Sequence, residues 1–266
     1  MPVNSPTGLR TVAATRYVTP FREGGSLPGL VEADDLGMYV LKFRGAGQGV
    51  KVLVAEIVVG ELARRLGFRV PEIVLVELDP ELARSEPDQE VQELLRASGG
   101  LNIGLDYLPG SFDYNPVVRA PEPAEATRLL WLDGLVLNVD RSWRNPNTLL
   151  WHRKLWLIDH GAALYPHHYW RADRFPADRY RFDAADHLML PFAGALSEVD
   201  GELSAAITPE LLDEVLALVP DEWLEGDEQF PGAERVRSAY RDLFAARLRA
   251  PRTWVDELEA ARAARV

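Results

Sequence analysis

The sequence predicts an α+β protein of two lobes, a β-rich amino-terminal lobe followed by an α-helical carboxy-terminal one. Two observations carry this. Before about residue 108 the apolar residues fall mainly in short runs of five to ten, separated by Gly, Pro and Asp. After residue 123 they recur mostly at helical spacing. The stretch 109–123, which begins and ends with Pro, reads as the connector. The expected boundaries are 1–108 for the first lobe and 109–266 for the second, within one domain.

The elements follow in order. Residues 10–19 hold Val12, Thr15, Tyr17 and Val18 and read as a strand. A turn-forming stretch, Phe21 to Gly29, comes next. Residues 30–33 and 38–43 read as a hairpin about Asp34–Gly37. Residues 50–66 read as a helix, with Val54, Val58, Leu62 and Leu66 as its apolar stripe. Arg64 and Arg65 suit its last turn, Gly67 its C′ position, and Pro71 prevents continuation. Residues 73–78 are an apolar strand. The acidic stretch 79–100 is a loop or an exposed helix, and 101–108 is extended. Residues 123–138 form an apolar helix, followed by the polar loop 138–147. A short hairpin joins 148–151 to 155–158. Thr208 with Pro209 starts a further helix, and two amphipathic helices fill 232–249 and 252–264.

Composition narrows the function. The chain has 266 residues, 47% hydrophobic and 26% charged, so a sizeable core is within reach. Its formal net charge of -12 argues against broad binding to a phosphate backbone. There is no cysteine, hence no disulfide or thiolate metal site. No apolar run approaches the ~18 residues of a membrane span, and residues 1–17 lack a signal-peptide core. The expectation is a cytoplasmic protein. His160, His167, His168 and His187 lie among aromatic residues without a zinc motif and read as packing.

One constellation carries chemistry. The loop after the apolar helix contains Asp140 and, five residues on, Asn145. Asp159 follows the short hairpin, with Gly161 two places later. A hairpin brings its ends together, so two carboxylates and an amide can converge. Phosphoryl transfer uses such a set: one carboxylate orients the attacking hydroxyl, while an amide oxygen and a second carboxylate hold Mg²⁺. Asn147 is a second amide at the same place. Turn formation by Asp and Asn is the competing explanation for the loop. In the first lobe, Lys42 ends an apolar strand and can supply a cation for phosphates. Glu56 or Glu61 on the following helix can fix its ammonium, and Glu56 is preferred because it sits mid-helix among apolar neighbours. Gly24, Gly25 and Gly29 allow backbone amides to approach phosphates.

The chain resembles the HipA-like kinases, a family distantly similar to the phosphatidylinositol kinases. The resemblance rests on Gly24-Gly25-Ser26-Leu27-Pro28-Gly29, Leu41-Lys42-Phe43, Ala55-Glu56, the run from Leu62 to Pro71, Asn138-Val139-Asp140-Arg141 with Asn145, and Leu157-Ile158-Asp159-His160-Gly161. It covers residues 20–165. It implies a protein-kinase-like fold and an ATP- and Mg²⁺-dependent transferase acting on a hydroxyl acceptor. Asp140 would be the base, Asn145 and Asp159 metal ligands, and Lys42 and Glu56 the phosphate-binding pair. Gly25 and Ser26 would meet the nucleotide, and the segment 105–108, with Asp106 and Leu108, would receive the adenine. The chain departs from the pattern in reading Asp-Arg-Ser where relatives often have Asp-Arg-His. Ser142 also stands where many protein kinases place a lysine, and Arg141 or Arg144 is the available substitute. These departures keep two alternatives open, a non-catalytic nucleotide-binding module and a nucleotidyl transferase. Between Thr148 and Ser197 there is no Ser or Thr, which rules out Ser/Thr phosphorylation there.

Overall fold

The computed structural model describes residues 8–22, 27–47, 49–171 and 181–265. Five strands close into a barrel: β1 (Thr11–Pro20), β2 (Gly29–Ala33), β3 (Met38–Lys42), β4 (Ile73–Leu78) and β5 (Gly100–Asp106), in the order β1-β2-β3-β5-β4. β1 makes closure possible. It is the longest strand, and its pairing with β2 shifts register twice, between Ala14 and Arg16 and between Tyr17 and Thr19. Such irregularities bend a strand and increase its twist. β1 thereby reaches β4, to which it pairs in parallel through Thr11–Leu75 and Val12–Val76.

Strand alternation sorts the side chains between two cores. Tyr39, Leu41 and Phe43 fill the barrel with Val12, Val31, Val74 and Val76. Ile73, Leu75, Ile103 and Leu105 point outward, into a larger core shared with the helical half. β4 is therefore apolar on both faces, which explains its unbroken run Ile73-Val74-Leu75-Val76.

α1 (Val50–Arg65) lies in that larger core and is buried around its whole circumference from Leu53 to Ala63. It ends as the sequence predicts. Arg64 and Arg65 occupy the last turn, Gly67 takes φ 87°, and the Phe68 amide donates to the Ala63 carbonyl at 3.0 Å. The acidic stretch before β5 resolves into a 3₁₀ turn (Pro80–Ser85) and α2 (Gln89–Ala97). Asp88 caps α2, and Val91 and Leu95 bury against the barrel. A short sheet, β6 (Phe112–Asp113), β7 (Thr148–Trp151) and β8 (Lys154–Leu157), follows the connector. The helical half comprises α3 (Pro123–Val136), α4 (Ser197–Ala206), α5 (Pro209–Leu216), α6 (Asp221–Leu224), α7 (Ala233–Leu248) and α8 (Thr253–Ala263). The sequence reading lacks α4 and α6. α4 begins without a side-chain cap and α6 spans four residues, so neither carries a strong start signal. No helix among the described residues is long and apolar enough to cross a membrane.

Candidate active site

Strand parity places Lys42. Leu41 points into the barrel, so Lys42 faces the other way, toward α1. There its ammonium pairs with the fully buried Glu56 and, across 117 residues of sequence, with Asp159 Oδ1 at 2.7 Å. Glu61 is engaged elsewhere, with Arg65 at 2.6 Å and Arg64 at 3.6 Å. Burial works against the Lys42 charge, but Glu56 and Asp159 outweigh it and hold its pKa above the ordinary lysine value. The Lys42 ammonium in turn holds the Asp159 carboxylate down at about 2.

Asp159 follows β8 in the left-handed region, at φ 55°, a conformation that Asp tolerates better than most residues. The next residue, His160, is fully buried, and burial drives its pKa down to about 3, so the ring is neutral at physiological pH. Gly161 is required by packing. A Cβ there would lie 2.5 Å from Val52 Cγ1 and 3.2 Å from Glu56 Oε1. Gly161→Ala therefore pushes directly on the helix that carries Glu56. It should cost roughly 1–3 kcal/mol in chemical denaturation, and Val52→Ala in the same chain should restore part of the loss.

The loop between α3 and β7 is pinned from beneath. Asp133, in α3, is fully buried and accepts from Arg141 Nε at 2.6 Å, His187 Nε2 at 2.9 Å and Asn138 Nδ2 at 3.2 Å. Burial pushes its pKa up, but Arg141 and His187 more than offset this and keep it ionised. Arg141 also donates to the Asn147 carbonyl, which accepts in addition from the Ile158 amide at 3.1 Å. Asn147 is thus fixed one residue from Asp159 along the neighbouring strand. Above this frame Asp140 Oδ2 accepts from Asn145 Nδ2 at 2.7 Å and Asn147 Nδ2 at 3.1 Å. One half of the arginine expectation is thereby corrected. Arg141 is 1% exposed and committed to Asp133 and Asn147, so it is unavailable to phosphates, whereas Arg144 is exposed.

The remaining expected residues sit as follows. Asp106 ends β5, and its amide donates to the Glu72 carbonyl at 2.9 Å. The Tyr107 amide donates to the Met38 carbonyl at 2.9 Å. Leu108 is buried, and its carbonyl accepts from Ser111. Gly25 and Ser26 lie outside the described residues.

A second contact ties α1 to the helical half and had no sequence signal. Lys51 Nζ donates to the His167 carbonyl at 2.6 Å and to Asp227 Oδ2 at 3.0 Å, and lies 5.5 Å over the Trp170 ring. Asp227 is 8% exposed and also accepts from Trp170 Nε1 at 3.1 Å. Lys51→Met leaves this carboxylate without its cation. It should lower stability by about 1–3 kcal/mol, measured by denaturant melts, with Lys51→Arg recovering most of the loss.

The model of the HipA-like kinases matches residues 15–255. The chain belongs to the HipA-like kinase family. Among solved structures, the fold is similar to that of the Helicobacter pylori proinflammatory kinase CtkA. The TM-score is 0.53 at 12% identity, over 96% of this chain and 99% of that one. It is also similar to the Golgi casein kinase with Mn/ADP bound, with a TM-score of 0.50 at 15% identity, over 96% of this chain and 75% of that one. No curated protein matches.

Proposed function

We propose that this HipA-like kinase transfers the γ-phosphoryl group of ATP to a hydroxyl acceptor. The observation that carries the proposal is the convergence on Lys42 of Glu56 and Asp159, beside a loop in which Asp140 is held by two asparagines.

Lys42 stays charged and presents a fixed ammonium to phosphate oxygens, with Glu56 holding it in place. Asp140 orients the acceptor hydroxyl and takes its proton. The amide bonds from Asn145 and Asn147 go to the same Asp140 oxygen, which aims the carboxylate and leaves the carboxamide oxygens for other use. Asp159 with Asn145 or Asn147 offers hard oxygen donors only, a set that fits Mg²⁺ or a similar divalent cation. Asn145 matches the motif spacing, while Asn147 is the one bonded next to Asp159. When bound, the cation would neutralise charge on the transferring phosphates. The Golgi casein kinase holds Mn and ADP on a similar fold, which supports a nucleotide and a divalent metal here. The Asp106 and Tyr107 amides donate to the Glu72 and Met38 carbonyls, so among the described residues the Leu108 amide is the donor this segment offers an adenine.

Incubation with ATP and Mg²⁺ and a panel of hydroxyl acceptors, read by mass spectrometry, tests the proposal. A phosphate gain that disappears in Asp140→Ala supports it. A gain of AMP would instead identify a nucleotidyl transferase, and binding without turnover a non-catalytic module.

A further inference from the structure

A second cavity, of about 520 Å³, lies where the end of α1, the start of α3 and the β7–β8 hairpin meet. Its size is typical of small-molecule sites. In the hairpin register, Leu150, Leu155 and Leu157 share one face and line the cavity, while Leu149 and Trp156 form the other face. Lys42, Glu56, Asp140 and Asp159 do not line it.

Its charge is opposite to that of the molecule. In a chain of net charge -12 the cavity is lined by Arg69, Arg119, Arg128, Arg153 and Lys154, against Glu122 and Glu125 alone. Arg69 is shared with Glu125 at 3.4 Å and Arg128 with Glu202 at 2.7 Å. Among the described residues, no ion pair joins Arg119, Arg153 or Lys154 to a carboxylate. Three cations at one cavity mouth repel each other unless an anion lies between them.

The backbone at Arg153 adds an independent argument. The two-residue turn of this hairpin has both central residues in the left-handed region, His152 at φ 46° and Arg153 at φ 62°. Asn-Gly is the sequence suited to such a turn. His152 is exposed but packs against the Trp151 ring, with centroids 4.2 Å apart. Among the described residues Arg153 makes no ring contact, and its carbonyl accepts from Arg119 Nη1 at 3.0 Å. A long cationic side chain is thus kept at a strained position on the rim, where glycine would be favoured for stability. A strained backbone position kept without a packing reason motivates a functional reading.

We infer that this cavity binds a phosphorylated small molecule, its phosphate among Arg119, Arg153 and Lys154 and its apolar body against the leucine face of the hairpin. Arginine forks suit phosphate oxygens, and a doubly charged group answers three unpaired cations better than a carboxylate does. Ala124 and Glu125, in the first turn of α3, line the same cavity, and this helix end, which has no side-chain cap, adds to its preference for anions.

Titration calorimetry with phenyl phosphate as probe tests the inference. The expected result is one site per chain, equally strong in wild type and in Asp159→Ala. Affinity should fall about tenfold in Arg153→Gly and again in Lys154→Gln. Arg153→Gly should melt no lower than wild type, because it relieves the turn. Inorganic phosphate should bind more weakly than phenyl phosphate, lacking a body for the apolar wall. No binding at millimolar probe would overturn the inference, as would unchanged affinity in both variants. Loss of binding in Asp159→Ala would assign the probe to the nucleotide cleft instead and overturn it equally.

Discussion

Asp159→Ala should abolish the thermal shift that ATP and Mg²⁺ give the wild type, and Asp140→Ala should retain that shift while losing transfer. The two carboxylates are physically unlike. Asp159 is bonded to the Lys42 ammonium and sits at the end of β8. Among the described residues the Asp140 carboxylate is bonded by two neutral side-chain amides on its own loop. Removing Asp159 takes away the proposed metal donor and one of the two carboxylates on Lys42 together. At a ligand concentration of 100 times Kd, binding adds about 2.7 kcal/mol, which raises Tm by several degrees. A melt with and without nucleotide resolves that shift. Full transfer by Asp140→Ala would refute its role as the base, and a normal shift in Asp159→Ala would refute the metal site.

The largest loss of stability is expected away from the nucleotide, at Asp133. Asp133→Ala strands Arg141 in a fully buried position and removes an acceptor from His187 and Asn138. Breaking a buried ion pair from one side costs about 3–5 kcal/mol, a large part of the stability of a typical domain. The Asp140 loop rests on that network, so transfer should fall along with stability. Urea denaturation gives the first quantity, and single-turnover transfer under folding conditions the second. Asp133→Leu with Arg141→Met, which removes both charges, should recover much of the stability but not the transfer. A variant of Asp133 that melts like wild type would show that the network bears no weight.

The strands and longer helices were legible because their patterns are local. The apolar run of β4, the stop at Gly67 and the Thr208-Pro209 start each stand in a few adjacent residues. That Glu56 and Asp159 meet at Lys42 was legible in part: Asp159 stands out by its spacing from Asp140 and Gly161, while Lys42 and Glu56 stand out as charges in an apolar strand and an apolar helix. The support beneath them was not. Asp133 and Arg141 are eight residues apart but stand on a helix and on a loop, His187 lies 54 residues beyond Asp133, and the three meet only after α3 has folded beside the loop. One sign of it was present, a carboxylate in the apolar run Leu129-Leu130-Trp131-Leu132-Asp133, which implies a buried partner without naming it. Lys51 gave no sign at all, since a lysine in the first turn of a helix is ordinarily solvated. The sequence left Arg141 and Arg144 open as substitutes for the absent lysine for a related reason: the burial that excludes Arg141 is a property of the tertiary fold.

The burial of α1 on every side restricts how this kinase can be switched. An outward swing of the helix would separate Glu56 from Lys42, but it would also bring Leu53, Ile57, Val58 and Leu62 into water. Each of these is at most 1% exposed, and exposing them would cost roughly 6 kcal/mol or more, close to unfolding the domain. A phosphate, a partner or a second ligand rarely supplies a coupling energy of that size. The ammonium–carboxylate pair is therefore a permanent fitting in this protein, and control falls to whatever governs entry of the nucleotide and delivery of the acceptor.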